Sequence, residues 1–70
     1  MTLFKTLKDV FFGGGVSDRE IRAETWALGG RHAGEVVRGA RAELADSRLS
    51  PRRALLLRAV IRSQERAAAR

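Results

Sequence analysis

The chain has no cysteine, one histidine, one proline, one tryptophan, no tyrosine and no asparagine. Without cysteine there is no disulfide framework and no thiolate metal site. A single histidine excludes a structural zinc finger. Long apolar runs are missing as well. The longest, Val10-Phe11-Phe12 and Ala54 to Leu57, fall far short of the roughly 20 residues that span a bilayer. Lys5 and Lys8 are followed by no continuous apolar stretch of the secretory kind, so the N-terminus does not read as a signal peptide. The absence of cysteine fits a cytoplasmic protein.

What is present is short and basic. Seventy residues make one domain, and a chain of this size buries only about 60% of the surface its unfolded form exposes. Leu, Ile, Val and Phe make up 18 of the 70 residues, above the roughly 20% below which disorder is expected. A small core is therefore expected, with a partner or self-association as the usual further source of stability. The net charge of +6 is unevenly placed. Residues 1–47 balance seven cations against seven carboxylates, while residues 48–70 carry seven arginines and only Glu65. An acidic partner would be attracted to that last third.

Three helical segments emerge from the apolar periodicity. In residues 2–12, Leu3, Phe4, Leu7, Val10 and Phe11 share an arc of about 120° on a helix. Gly13-Gly14-Gly15 then ends the segment, because three glycines carry too much backbone entropy; residues 13–16 read as a hinge. A helix this short needs a surface to lie on.

Ser17-Asp18-Arg19-Glu20 has the spacing of a capping box, and Val16 and Ile21 are placed for a hydrophobic staple. From there the apolar side runs through Ile21, Thr25, Leu28, Gly29, His32, Val36, Gly39 and Ala40. Trp26, Ala33, Val37 and Leu44 widen it. The phase is kept across Gly29-Gly30, so the pattern predicts one helix over 17–46 with a soft middle or kink at 29–30. Arg31–Glu35 and Asp18–Arg22 are spaced for helical ion pairs. The small residues Gly29, Ala33, Gly39 and Ala40 are placed to let a neighbouring helix approach closely.

Ser50-Pro51 is a strong helix start, with Ser as N-cap and Pro in the first helical position. The third helix is predicted over 51–67. Leu56, Leu57, Val60 and Ile61 share one face, and Arg58, Arg62 and Arg66 step along another, with Arg52 nearby. Four residues between the longer helices suit antiparallel neighbours. The expected fold is all-α: an antiparallel two-helix hairpin plus a short N-terminal amphipathic helix.

Catalytic signals fail on missing residues. His32 lies on the apolar side, where a lone histidine is more often packed and hydrogen-bonded than a general base. No Ser has a recognisable base partner, and no metal-ligand cluster exists. Gly13-Gly14-Gly15-Val16-Ser17 lacks the lysine of a phosphate-binding loop and follows a helix rather than a strand. No enzymatic activity and no cofactor are expected. The expected function is a protein–protein interaction module, such as an accessory or assembly subunit of a larger complex. Leu3, Phe4, Leu7, Val10 and Phe11 would form its apolar contact; Arg52, Arg58, Arg62 and Arg66 would form its basic one. The alternatives are nucleic-acid binding through the same arginines, or peripheral membrane attachment through residues 2–12.

Overall fold

The computed structural model describes residues 16–69, which form three α-helices: α1 Asp18–Arg31, α2 Val36–Leu44 and α3 Pro51–Ala68. Each helix packs against the other two. The described part is all-helical. The segment 2–12 with its apolar residues Leu3, Phe4, Leu7, Val10 and Phe11, and most of the glycine hinge, lie outside the described residues.

The starts of α1 and α3 follow from their side chains. The Ser17 hydroxyl accepts from the Glu20 backbone N–H at 3.2 Å, and the Ser17 N–H donates to Glu20 Oε2 at 2.9 Å. This is the capping box that the spacing predicts. Ser50 caps α3 by accepting from the Arg53 N–H at 3.1 Å, with Pro51 following it. The start of α2 has no such device. Glu35 makes no side-chain cap and the first turn carries no acidic residue. A nine-residue helix without a cap has little stability of its own, so α2 is held by what it packs against.

The single helix expected over 17–46 is divided in two, and the break is not at Gly29-Gly30. Both glycines stay helical, and α1 continues to Arg31. The chain then turns through residues 32–35, with Ala33 at φ 54° and Gly34 at φ 87°. The Gly34 N–H donates to the Gly29 carbonyl at 2.7 Å, the six-to-one bond of a Schellman termination. Two left-handed residues in sequence end the helix, and the apolar phase survives because the next helix starts back on the core. The result is a three-helix cluster in place of a two-helix hairpin.

The centre of the cluster is small. Leu28 of α1, Ala40 of α2, and Leu57 and Val60 of α3 are fully buried. Ile21, Val36, Leu44, Leu49 and Ile61 pack around them. Two residues expected on the apolar side are elsewhere. Trp26 is 83% exposed, because it lies almost diametrically opposite Leu28 on the helical wheel. Ala33 is exposed in the turn and packs against no helix. Of the other small residues, a Cβ on Gly29 would only touch Val36 Cγ2 at an ordinary 3.7 Å. Gly39 is different. A Cβ there would overlap the His32 ring at Cδ2 and Cγ, and lie 2.9 Å from His32 Cβ. The imidazole lies directly over the Gly39 backbone, which no other residue type permits without displacing the turn.

Two substitutions test this turn. Ala33 holds a left-handed φ that costs a non-glycine residue roughly 1 kcal/mol. Ala33→Gly should therefore raise the unfolding free energy by about 0.5–1 kcal/mol, read as a higher urea midpoint; an unchanged or lower midpoint would show that the turn is unstrained. Gly39→Ala should lower stability by about 1–3 kcal/mol through overpacking, although alanine is the better helix former by roughly 1 kcal/mol. In a His32→Ala background the loss should shrink, because the Cγ and Cδ2 overlaps are gone and only the 2.9 Å Cβ approach remains. Equal losses in both backgrounds would mean that the imidazole is not the obstacle.

Candidate interaction site

Two carboxylates lie where the three helices meet, Glu24 on α1 and Glu43 near the end of α2. Their side chains are 11% and 24% exposed, too little for water alone to solvate them. They collect the surrounding cations instead. Glu24 Oε2 accepts from Arg31 Nη2 at 2.7 Å and from Arg53 Nη2 of α3 at 2.5 Å. Glu43 accepts from Arg31 through both oxygens, from Arg53 at 3.3 Å, and lies 2.7 Å from His32 Nε2. Facing a carboxylate acceptor, His32 Nε2 must carry the hydrogen. One arginine of α3 and one of α1 thus bridge both acids, and α2 enters through Glu43.

Partial burial pushes the Glu43 carboxyl up. The hydrogen bonds from His32 and Arg31, the Arg31 charge and the Arg53 hydrogen bond outweigh it, and hold the group down at about 2. The Arg53 hydrogen bond lowers Glu24 against its own desolvation, with Arg31 adding to the effect. Both acids are therefore ionised at neutral pH and held by cationic donors. They act as structural acceptors, not as proton donors. The hydroxyls of Ser17 and Ser50 cap helices, and Thr25 donates to the Ile21 carbonyl at 2.7 Å. Among the described residues no group of three or more His, Asp or Glu could hold a metal ion. No buried side-chain nitrogen or oxygen among them lacks a hydrogen-bond partner.

The outward surface carries the opposite sign. Of the carboxylates in the described residues, Glu20, Glu24, Glu43, Asp46 and Glu65 are engaged in ion pairs. Arg52 belongs to this set. It pairs with Glu20 at 2.5 Å and ties α3 to α1. Arg58, Arg62 and Arg66 are exposed and make no ion pair with another described residue. The same holds for Arg19 and Arg22 on α1 and Arg38 on α2. The basic residues singled out from sequence thus divide. Arg52 is structural, whereas Arg58, Arg62 and Arg66 form an outward stripe. Leu55, 43% exposed, lies on the same side of α3.

The expected helical pairs Asp18–Arg22 and Arg31–Glu35 do not form among the described residues. Arg31 is the last residue of α1, so Glu35 lies beyond the turn, and the guanidinium reaches Glu24 and Glu43 instead. Sequence reasoning passed over Arg53 and the Glu24–Glu43 pair, whose partners are up to 29 residues apart, beyond any local spacing rule. It also placed Trp26 inside, on the edge of an over-wide apolar arc. No family model matches the chain, and neither a curated protein nor a solved structure matches it.

Acid should loosen this junction. The folded-state Glu43 value is depressed, so its contribution is complete above about 4.5 and is lost as pH falls through the folded value near 2. The shift corresponds to about 3 kcal/mol at most, and solvent reaching the 44%-exposed Arg31 reduces it to about 1–2 kcal/mol. Urea midpoints between pH 7 and pH 2.5 should fall accordingly, and Glu43→Gln should flatten the fall. An acid-independent midpoint in the parent chain would contradict the assignment.

Proposed function

We propose that the chain is a small non-catalytic interaction module that docks on an acidic protein partner, as an accessory or assembly subunit of a larger complex. The observation that carries this reading is the exposed stripe Arg58–Arg62–Arg66 on α3, without ion pairs to other described residues and with the exposed Leu55 beside it. Arginine supplies charge-assisted hydrogen bonds to carboxylates, and the half-exposed leucine adds apolar contact area beside them. The ion-paired carboxylates Glu20, Glu24, Glu43, Asp46 and Glu65 leave the outer charge to be matched by a partner.

Several observations support a binding role over a catalytic one. The one histidine is committed to Glu43, the junction acids are paired with Arg31 and Arg53, and the hydroxyls of Ser17, Thr25 and Ser50 serve the backbone. No helix among the described residues is long and apolar enough to cross a membrane. In the finer arrangement, residues 2–12 form an amphipathic helix whose Leu3, Phe4, Leu7, Val10 and Phe11 give the same partner a second, apolar contact.

Affinity capture with the tagged chain from nuclease-treated extract should retain a stoichiometric acidic protein. Replacing Arg58, Arg62 and Arg66 together by Ala should weaken capture by tenfold or more, about 1.4 kcal/mol, and flatten its salt dependence. Capture unchanged by the triple substitution would remove α3 as the contact, and capture abolished by the nuclease step would replace the protein partner with nucleic acid.

A further inference from the structure

The Trp26 face of α1 has no role in the fold or in the α3 stripe. It is the one tryptophan of the chain, and at 83% it is the more exposed of the two large apolar side chains that the described residues leave in water. On the helical wheel Arg19, Arg22, Ala23, Trp26 and Gly30 fall within about 100°. All five are exposed, and no carboxylate lies in the arc. Arg22 is one turn and Arg19 two turns before Trp26, at rises of about 6 and 10 Å. Neither arginine makes an ion pair with another described residue. On the other side of the indole the helix carries Gly29 and Gly30, and a Cβ built on Gly30 would meet nothing within 4 Å. Gly30 thus adds no side chain to the arc on the C-terminal side of Trp26.

We infer that this face binds single-stranded nucleic acid, with a base stacked on the Trp26 indole and flanking phosphates held by Arg19 and Arg22. An aromatic platform beside unopposed cations is the combination that sequence-tolerant single-strand binding requires. The charge pattern argues against a second copy of the chain, which would bring arginine against arginine. A lipid surface asks for a broad apolar face, and here the neighbours of the indole are two arginines, an alanine and glycine backbone. Duplex DNA keeps its bases stacked on each other and offers the indole nothing comparable. The surface lies on a different helix from the Arg58–Arg62–Arg66 stripe, so substitutions on one leave the other in place.

The test uses the full chain with a labelled oligothymidylate, read by anisotropy of the label and by quenching of the Trp26 emission. Binding should quench that emission. Trp26→Ala should weaken binding about tenfold or more, as removal of one stacked base does, while Trp26→Phe, which keeps an aromatic face, retains most of it. Replacing Arg19 and Arg22 together by Ala should lower the slope of log K against log salt by about 1.4, roughly 0.7 for each single-strand phosphate that is no longer neutralised. All these positions are exposed, and circular dichroism at matched concentration verifies that the variants remain helical. Three results would each overturn the assignment: no binding at low salt, binding that Trp26→Ala leaves intact, or duplex bound as tightly as the single strand. A blue shift of Trp26 on anionic phosphatidylserine vesicles or with polyglutamate, without quenching by the oligonucleotide, would equally overturn it and assign the face to lipid or to acidic protein.

Discussion

The described fold depends on the neutralisation of two carboxylates at the junction of three helices. Glu24 and Glu43 sit too deep for water to solvate them fully, so each must be met by a cation on another element. Arg53 reaches both from α3, and Arg31 reaches both from the end of α1. If either arginine moves, two acids lose a partner at once. Among the described residues the fully buried apolar core holds only Leu28, Ala40, Leu57 and Val60, and apolar contact of that extent tolerates many helix arrangements. Ion pairs of this half-buried kind add little net stability, but they discriminate between arrangements, since a rotated α2 would bury Glu43 without its donors. The acids choose the arrangement and the apolar residues drive the collapse.

The turn between α1 and α2 exists in the form that this junction requires. His32 must lie near the end of α2 to donate to Glu43, although it precedes that helix in the chain. The left-handed pair Ala33 and Gly34 reverses the backbone within four residues, and the bare backbone of Gly39 leaves room for the ring to lie across α2. Each element is costly alone: a left-handed alanine, a glycine inside a helix, an uncapped helix start. They persist because the packing of Leu28, Ala40, Leu57 and Val60 offsets them in the arrangement that the contacts at Glu43 select. A helix as short and uncapped as α2 has little stability of its own and relies on its packing against α1 and α3.

The readability of the fold in the sequence followed the range of the interactions. Helix starts that rest on contacts three residues apart, Ser17 with Glu20 and Ser50 with Arg53, were legible, as was the all-helical class. The break was not, since Gly29-Gly30 looks weaker than Arg31 to Glu35 by propensity. A Schellman end selected by tertiary contacts overrode that preference and put alanine where glycine is usual. Trp26 was misplaced because a continuous helix over 17–46 makes the apolar arc too wide; once the helix is cut, Trp26 falls opposite Leu28 and outside. Among the basic residues the sequence shows the stripe but not its division. Arg52 and Arg53 are adjacent to it, and only their distant partners Glu20, Glu24 and Glu43 mark them as structural.

That division sorts the arginines of the described residues into an ion-paired set and an unpaired set. Acids at helix junctions and caps are consumed by the fold, and each takes with it an arginine from the same region. One-for-one pairing leaves the charge excess unchanged, and Arg19 and Arg22 on α1 and Arg58, Arg62 and Arg66 on α3 stay without an ion pair among the described residues, gathered on helix faces. Exposed guanidinium groups on a face repel one another, an unfavourable arrangement that intramolecular pairing with Asp18 or Glu35 would have relieved if stability alone governed their placement. Among the described residues the two most exposed large apolar side chains, Trp26 and Leu55, lie on these same faces. The acidic ligands proposed for these two helices would meet apolar area and unpaired positive charge together on each face.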